Sequence, residues 1–165
     1  GLFIFGGRGK NKKPMNDLWL LIPAYTKNAK YLEKANGSFK KTKSTSLTLR
    51  YQLKKLNPGG VPPCPRYFHA ASFIQTYLVI HGGRNDEIFT NLQNIGLNDL
   101  HLYDINKNIW TSVALFNQIP TSRWGHQMCI AQTSKEDYKS ENLLIFGGNS
   151  FKSFCDSSIY EIVFD

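Results

Sequence analysis

The sequence predicts an all-β chain built from repeated small antiparallel sheets, each of up to four short strands. Three observations carry that prediction. A pair of glycines follows an apolar run at three places: Gly6-Gly7, Gly82-Gly83 and Gly147-Gly148. An arginine stands three positions before a histidine twice, at Arg66/His69 and Arg123/His126, behind Pro63 and Pro120. Between these landmarks, apolar or alternating runs end in Gly, Pro, Asn or Asp, the punctuation of strands and turns.

The first unit, about residues 1–60, opens on Leu2-Phe3-Ile4-Phe5, a continuous apolar run that fits a strand buried on both faces. A polar connection, 8–15, follows. Asn16-Asp17 lead into a strand over Leu18–Ile22 that Pro23 is expected to stop. Residues 24–46 carry six lysines and little apolar periodicity. They read as a long, mobile surface insertion with room for a short helix over 29–35. Residues 47–53 alternate and predict a strand, and 57–65, rich in Pro and Gly, predict a strand-free connection.

The middle unit, about 61–117, predicts strands at Arg66–Ile74, Tyr77–His81, Leu100–Tyr103 and Ile109–Leu115, with a loop at 84–97. Asp104-Ile105-Asn106-Lys107-Asn108 is turn chemistry. The third unit, about 118–165, repeats the start: a strand continuing through 127–131, a polar loop at 132–142, Leu143–Gly148 and a last strand at Ile159–Phe164. The strand counts are three, four and three.

The middle unit resembles the kelch repeat, a β-propeller blade with a period of about 50 residues. The residues that carry the resemblance are Gly82-Gly83, Asn98-Asp99-Leu100, Tyr103 and Trp110, with the lead-ins at Pro63 and Pro120. In the first unit Leu21 stands at the tyrosine position and Tyr51 is the expected substitute for the tryptophan. In the third, Ile162 takes the tyrosine position. The resemblance implies a kelch-type β-propeller segment of four-stranded antiparallel blades. Propellers close with about 4–8 blades, so the rest of the ring is expected from further sequence or another chain.

Composition bounds the chemistry. Apolar residues make up 41% and charged residues 19%, as in ordinary globular chains. No stretch reaches the roughly 20 apolar residues that span a bilayer, and no membrane contact is expected. The start lacks a basic segment ahead of a short apolar core, so it does not read as a signal peptide; it opens inside a motif, and upstream sequence is expected. Cys64, Cys129 and Cys155 are widely spaced without a CxxC pair. They read as reduced thiols and favour a cytoplasmic setting.

Net charge is +8. Residues 1–60 hold 13 Lys/Arg against Asp17 and Glu33, +11, while the remainder is −3. A solvated insertion is the first reading of the lysine-rich stretch, and an acidic protein surface the second. Tyr25, Tyr31, Phe39 and Tyr51 lie among its cations, as in some single-strand binders. Because most of these cations are loop lysines, nucleic acid ranks behind both.

Catalytic and cofactor signals are weak. Gly6-Gly7-Arg8-Gly9-Lys10 lacks the Gly-Lys-Ser/Thr ending and following helix of a phosphate loop. His69 and His126 occupy equivalent repeat positions, which argues for structural roles. His81 stands where the other units have Phe5 and Phe146 and reads as a substituted core residue. No reaction, cofactor or metal is expected. By the resemblance, connections on one rim of the blades carry the contact surface. The candidate contacts there are Arg8, Arg84, Asp86, Phe89, Phe116 and Phe151. The resemblance implies a non-catalytic interaction or scaffold module binding other proteins, in a large cytoskeletal or ciliary assembly. The alternative it implies is substrate recognition for a ubiquitin ligase or a kelch-fused phosphatase with its catalytic part elsewhere.

Overall fold

A computed structural model describes residues 1–29, 45–87, 95–135, 138–151 and 158–163. Among the described residues the regular structure is all strand. The strands are β1 (Leu2–Arg8), β2 (Pro14–Ala29), β3 (Thr45–Leu56), β4 (Gly59–Gly60), β5 (Ala70–Ile74), β6 (Tyr77–Arg84), β7 (Gly96–Asp104), β8 (Ile109–Val113), β9 (Gln127–Lys135), β10 (Tyr138–Phe146) and β11 (Ile159–Ile162). They form three sheets, ordered β1-β2-β3, β4-β8-β7-β6-β5 and β11-β10-β9. Each sheet is built from strands that neighbour one another in the chain, as the blades of a propeller segment are.

The chain divides into two compact units, Gly1–Ile4 with Leu18–Leu56, and Phe5–Asp17 with Asn57–Asp165. In the first, β2 and β3 pair antiparallel from Leu18↔Leu56 to Ala29↔Thr45. Leu18 is buried, and the Lys55 ammonium lies 5.7 Å from the centre of the Trp19 ring.

The second unit holds the middle and third blades. Its core joins Ala70, Ile74, Val79 and Leu100 to Met128, Leu143 and Ile145. The continuous run of β6 is buried nearly throughout, as expected of an apolar strand buried on both faces. Tyr103 and Trp110 stand opposite each other on β7 and β8, with ring centres 5.3 Å apart. Tyr103 donates to Asn108 Oδ1 at 2.9 Å, which ties the strand to its turn. Asp104 Oδ1 accepts from the backbone N–H of Asn106 and Lys107, as its turn chemistry requires.

Several expectations need correction. Pro23 does not stop the second strand, since it pairs opposite Tyr51 and β2 continues to Ala29. Because β1 has only seven residues, the far half of the 16-residue β2 is an edge on that side, where proline is tolerated. Residues 24–29 and 45–46 of the expected insertion are paired strand, and 30–44, with most of the expected helix, lie outside the described residues. Leu53, not Tyr51, faces Leu21, so leucine takes the tryptophan position of the first blade. The polar stretch 132–142 is a continued hairpin, in register from Gln132↔Glu141 to Lys135↔Tyr138. Backbone pairing there does not depend on apolar side chains.

Gly59-Gly60 pair parallel with β8, so that connection is not strand-free. The strand expected from Arg66 begins only at Ala70, because Arg66 and Tyr67 form isolated bridges to other segments. The expected burial of β1 on both faces also fails: Phe5 is buried, but Leu2 and Ile4 are exposed.

Candidate protein-interaction site

Where β6 leaves its sheet, Gly83 adopts φ +94° and packs against the lead-in of its own blade. A Cβ there would meet Tyr67 O at 2.9 Å and the Cα of His69 at 3.0 Å. Only glycine permits so close an approach. It lets Tyr67 and Arg84 exchange two backbone hydrogen bonds, of 3.1 and 2.9 Å. The same geometry pairs Trp124 with Asn149 in the third blade. The repeat thus sets an aromatic residue beside the residue that follows the glycine pair in the middle and third blades.

These positions build a stack. The Arg8 guanidinium lies 5.1 Å from the centre of the Tyr67 ring, and that of Arg84 lies 5.5 Å from the same ring. Arg84 also sits 5.0 Å from the Trp124 ring. Stacking on ring faces stabilises each cation and fixes its plane. Arg84 Nε donates to Asp86 Oδ1 at 2.8 Å, and the Tyr67 hydroxyl donates to Asp86 Oδ2. Burial raises the Asp86 pKa, but these hydrogen bonds outweigh it and hold the carboxyl below its usual range. Arg8 Nε donates to Lys12 O at 2.8 Å. Among the described residues, the Nη groups of both arginines form no protein hydrogen bond. That leaves two fixed guanidinium edges able to take carboxylates bidentately. A Lys13–Glu87 pair, 3.8 Å apart, brings the 8–13 and 84–87 connections to one rim.

Beneath the rim, Arg66 is buried and forks onto Asp99 with two bonds of 2.7 Å. Burial raises the Asp99 pKa, but hydrogen bonds from Arg66 and His101 hold this carboxyl well below its usual range. His81 is buried, as a core residue should be, and its Nδ1 lies 2.9 Å from His126 Nε2. Burial lowers the pKa of His69 to about 4, that of His81 to about 3 and that of His126 to about 4; Arg66, His126 and Arg123 respectively add to the effect. Among the described residues, no group of three His, Cys, Asp or Glu could hold a metal ion.

The structure joins Arg8, Arg84 and Asp86 of the six sequence candidates. Phe116 and Phe151 are 80% and 46% exposed on their connections, and Phe89 lies outside the described residues. Sequence reasoning missed Tyr67 and Trp124. Their shared place, one residue after the lead-in arginine, was the available signal.

Blades of this order, with glycine pairs, lead-in arginines and the Tyr103/Trp110 pair, define a kelch-type propeller segment. The chain belongs to the family described as the KLHDC2/KLHL20/DRC7 Kelch-repeats domain, whose model matches residues 1–165. It is 40% identical over 65 residues to the Rho GTPase-activating protein gacHH of Dictyostelium discoideum, covering 39% of this chain and 4% of that protein. Identity to Tip elongation aberrant protein 1 of Schizosaccharomyces pombe is 23% over 159 residues, or 92% of this chain and 11% of that protein. Identity to Serine/threonine-protein phosphatase BSL2 of Arabidopsis thaliana is 30% over 100 residues, or 59% of this chain and 8% of that protein. The chain spans only a small part of each relative. Kelch-repeat domains are generally protein-interaction modules.

Proposed function

We propose that this chain is a non-catalytic protein-interaction module whose contact surface is the rim carrying Arg8, Arg84 and Asp86, with Phe116, Phe151 and Phe89 on its connections. The observation that carries the reading is the stack of two guanidiniums on Tyr67, whose Nη groups form no protein hydrogen bond among the described residues. The blades are a rigid base, and the irregular connections supply specificity. The partner is a protein surface that presents carboxylates, and further blades complete the ring.

The lysine-rich insertion supports placing this module in a large cytoplasmic assembly, cytoskeletal or ciliary, with an acidic face against the insertion. The likeness to a protein named as a phosphatase favours a second reading, a recognition domain that delivers substrates to a catalytic domain elsewhere.

The test is quantitative affinity purification of the full-length protein from its own cells. In Arg8→Ala/Arg84→Ala, partners are expected to fall at least about tenfold, as for loss of interface arginines, with the melting temperature held. Charge reversal at 40–43 reads the insertion separately. Partners unchanged in the double variant would remove the rim from consideration. Co-purification of a phosphatase or ligase subunit would favour the second reading.

A further inference from the structure

Phe68 is an aromatic residue in the left-handed region, with φ +56°. Five non-glycine residues share that region among the described residues: Lys12, Phe68, Gln75, Asn108 and Asn117. Phe68 is the aromatic one. An L side chain there crowds its own backbone, and a bulky one is an outlier. The equivalent position in the third blade is Gly125, with φ +66°. Phe68 O accepts from Gly125 N at 2.8 Å, so the bent backbone joins the two blades directly. Equivalent positions of neighbouring blades come this close only near the axis about which the blades repeat.

The backbone alone would be served by glycine. Burial, which usually offsets such strain, does not explain the side chain, since Phe68 is 61% exposed. Its ring centre lies 5.0 Å from that of Tyr67, the residue stacked by Arg8 and Arg84. The exposed ring therefore extends the cation stack toward the axis. Residues 8–13 and 84–87 carry five Lys/Arg against two acids, so the surroundings are positive.

We infer that Phe68 is the apolar anchor of this rim, taking a leucine-like or aromatic side chain from an acidic protein segment whose carboxylates reach Arg8 and Arg84. The inference rests on the rim reading above and names the residue that gives it apolar selectivity. An exposed aromatic beside fixed arginines is the composition of an interface hot spot.

The test pans a displayed random dodecapeptide library on the immobilised full-length protein. The enriched peptide is then synthesised with a fluorophore and titrated by anisotropy. Enriched peptides are expected to combine Asp or Glu with Leu, Ile, Met or Phe. Phe68→Gly should weaken binding about tenfold or more without lowering the melting temperature, because glycine suits the backbone. Arg84→Ala should weaken it as well. Wild-type binding by Phe68→Gly, with Arg84→Ala still weakened, would overturn the role of Phe68 and leave the rim standing. A lowered melting temperature in Phe68→Gly would assign the ring to packing and overturn it too. If no acidic peptide is enriched, or Arg84→Ala binds as wild type, the rim reading falls and takes this one with it.

Discussion

Arg66 uses every donor it has. Nε donates to Cys64 O, Nη1 to Gly82 O and Asp99 Oδ1, and Nη2 to Asp99 Oδ2 and Cys64 Sγ. Five N–H groups and five acceptors close the account of a buried guanidinium. Arg123 repeats the scheme with Thr121 O, Gly147 O and Thr121 Oγ1, and its guanidinium sits 4.9 Å from the Tyr160 ring. The lead-in arginine is thus a staple between the glycine pair and the connection before it, which explains its recurrence. Removing it leaves Gly82 O short of a donor and Asp99 without its fork. Arg66→Ala is expected to lower stability by about 2–3 kcal/mol, the loss of charged hydrogen bonds from a buried guanidinium whose partner Asp99 is still partly solvated. Arg66→Lys should recover only part, because an ammonium cannot serve a planar fork. Urea midpoints of the two variants check both the size and the order.

At the scale of the element, the residue before the glycine pair meets the histidine of the next lead-in edge-on. Phe5 meets His69 with ring centres 5.4 Å apart, and His81 meets His126 at 5.0 Å. The substitution at 81 preserves the contact and adds a group whose charging burial opposes. Both folded pKa values, about 3 and about 4, lie below the usual 6.5. The unfolded chain then binds more protons between these limits, so stability is full above pH 6.5 and falls as pH drops toward 4. By pH 5 the loss is up to about 2 kcal/mol for each histidine. His81→Phe should keep the fold at pH 7 and remove about one histidine's share of that loss, as read by denaturant midpoints at pH 7 and 5. An unchanged pH slope would show that His81 does not carry this proton.

This joint was partly legible in the sequence, because position 81 aligned with Phe5 and Phe146. Blade count and strand order were legible for the same reason: apolar runs and glycine pairs mark buried strands. The hairpin ends were not. Gln132–Lys135 pair through their backbones, and polar side chains leave no apolar pattern to read. The cation stack was hidden because its members follow different landmarks, Arg8 and Arg84 after glycine pairs, Tyr67 and Trp124 after arginines.

For the molecule as a whole, the first glycine of each pair reports whether a neighbouring blade is in place. At Gly6, φ +59°, a Cβ would meet Arg66 O at 2.8 Å and His69 Cε1 at 3.5 Å. At Gly82, φ +60°, it would meet Arg123 O at 2.8 Å and His126 Cε1 at 2.9 Å. Gly147 has the same bend, φ +70°, with nothing within 4 Å among the described residues. The strand pairs agree. His81 and Leu100 face each other in the middle blade and are buried, while their counterparts Phe146 and Ile159 are 41% and 66% exposed. Gly147 thus repeats the bend that at Gly6 and Gly82 lies under an arginine carbonyl. In the full-length protein, Gly82→Ala should lower stability by roughly 3 kcal/mol or more, from left-handed strain plus overpacking. Gly147→Ala should match it if a further blade docks there. If that face stays open, only the backbone strain of about 1–2 kcal/mol remains. Chemical denaturation of the two full-length variants side by side separates these outcomes, and a small effect at Gly147 would mean that the ring is not continued across this face.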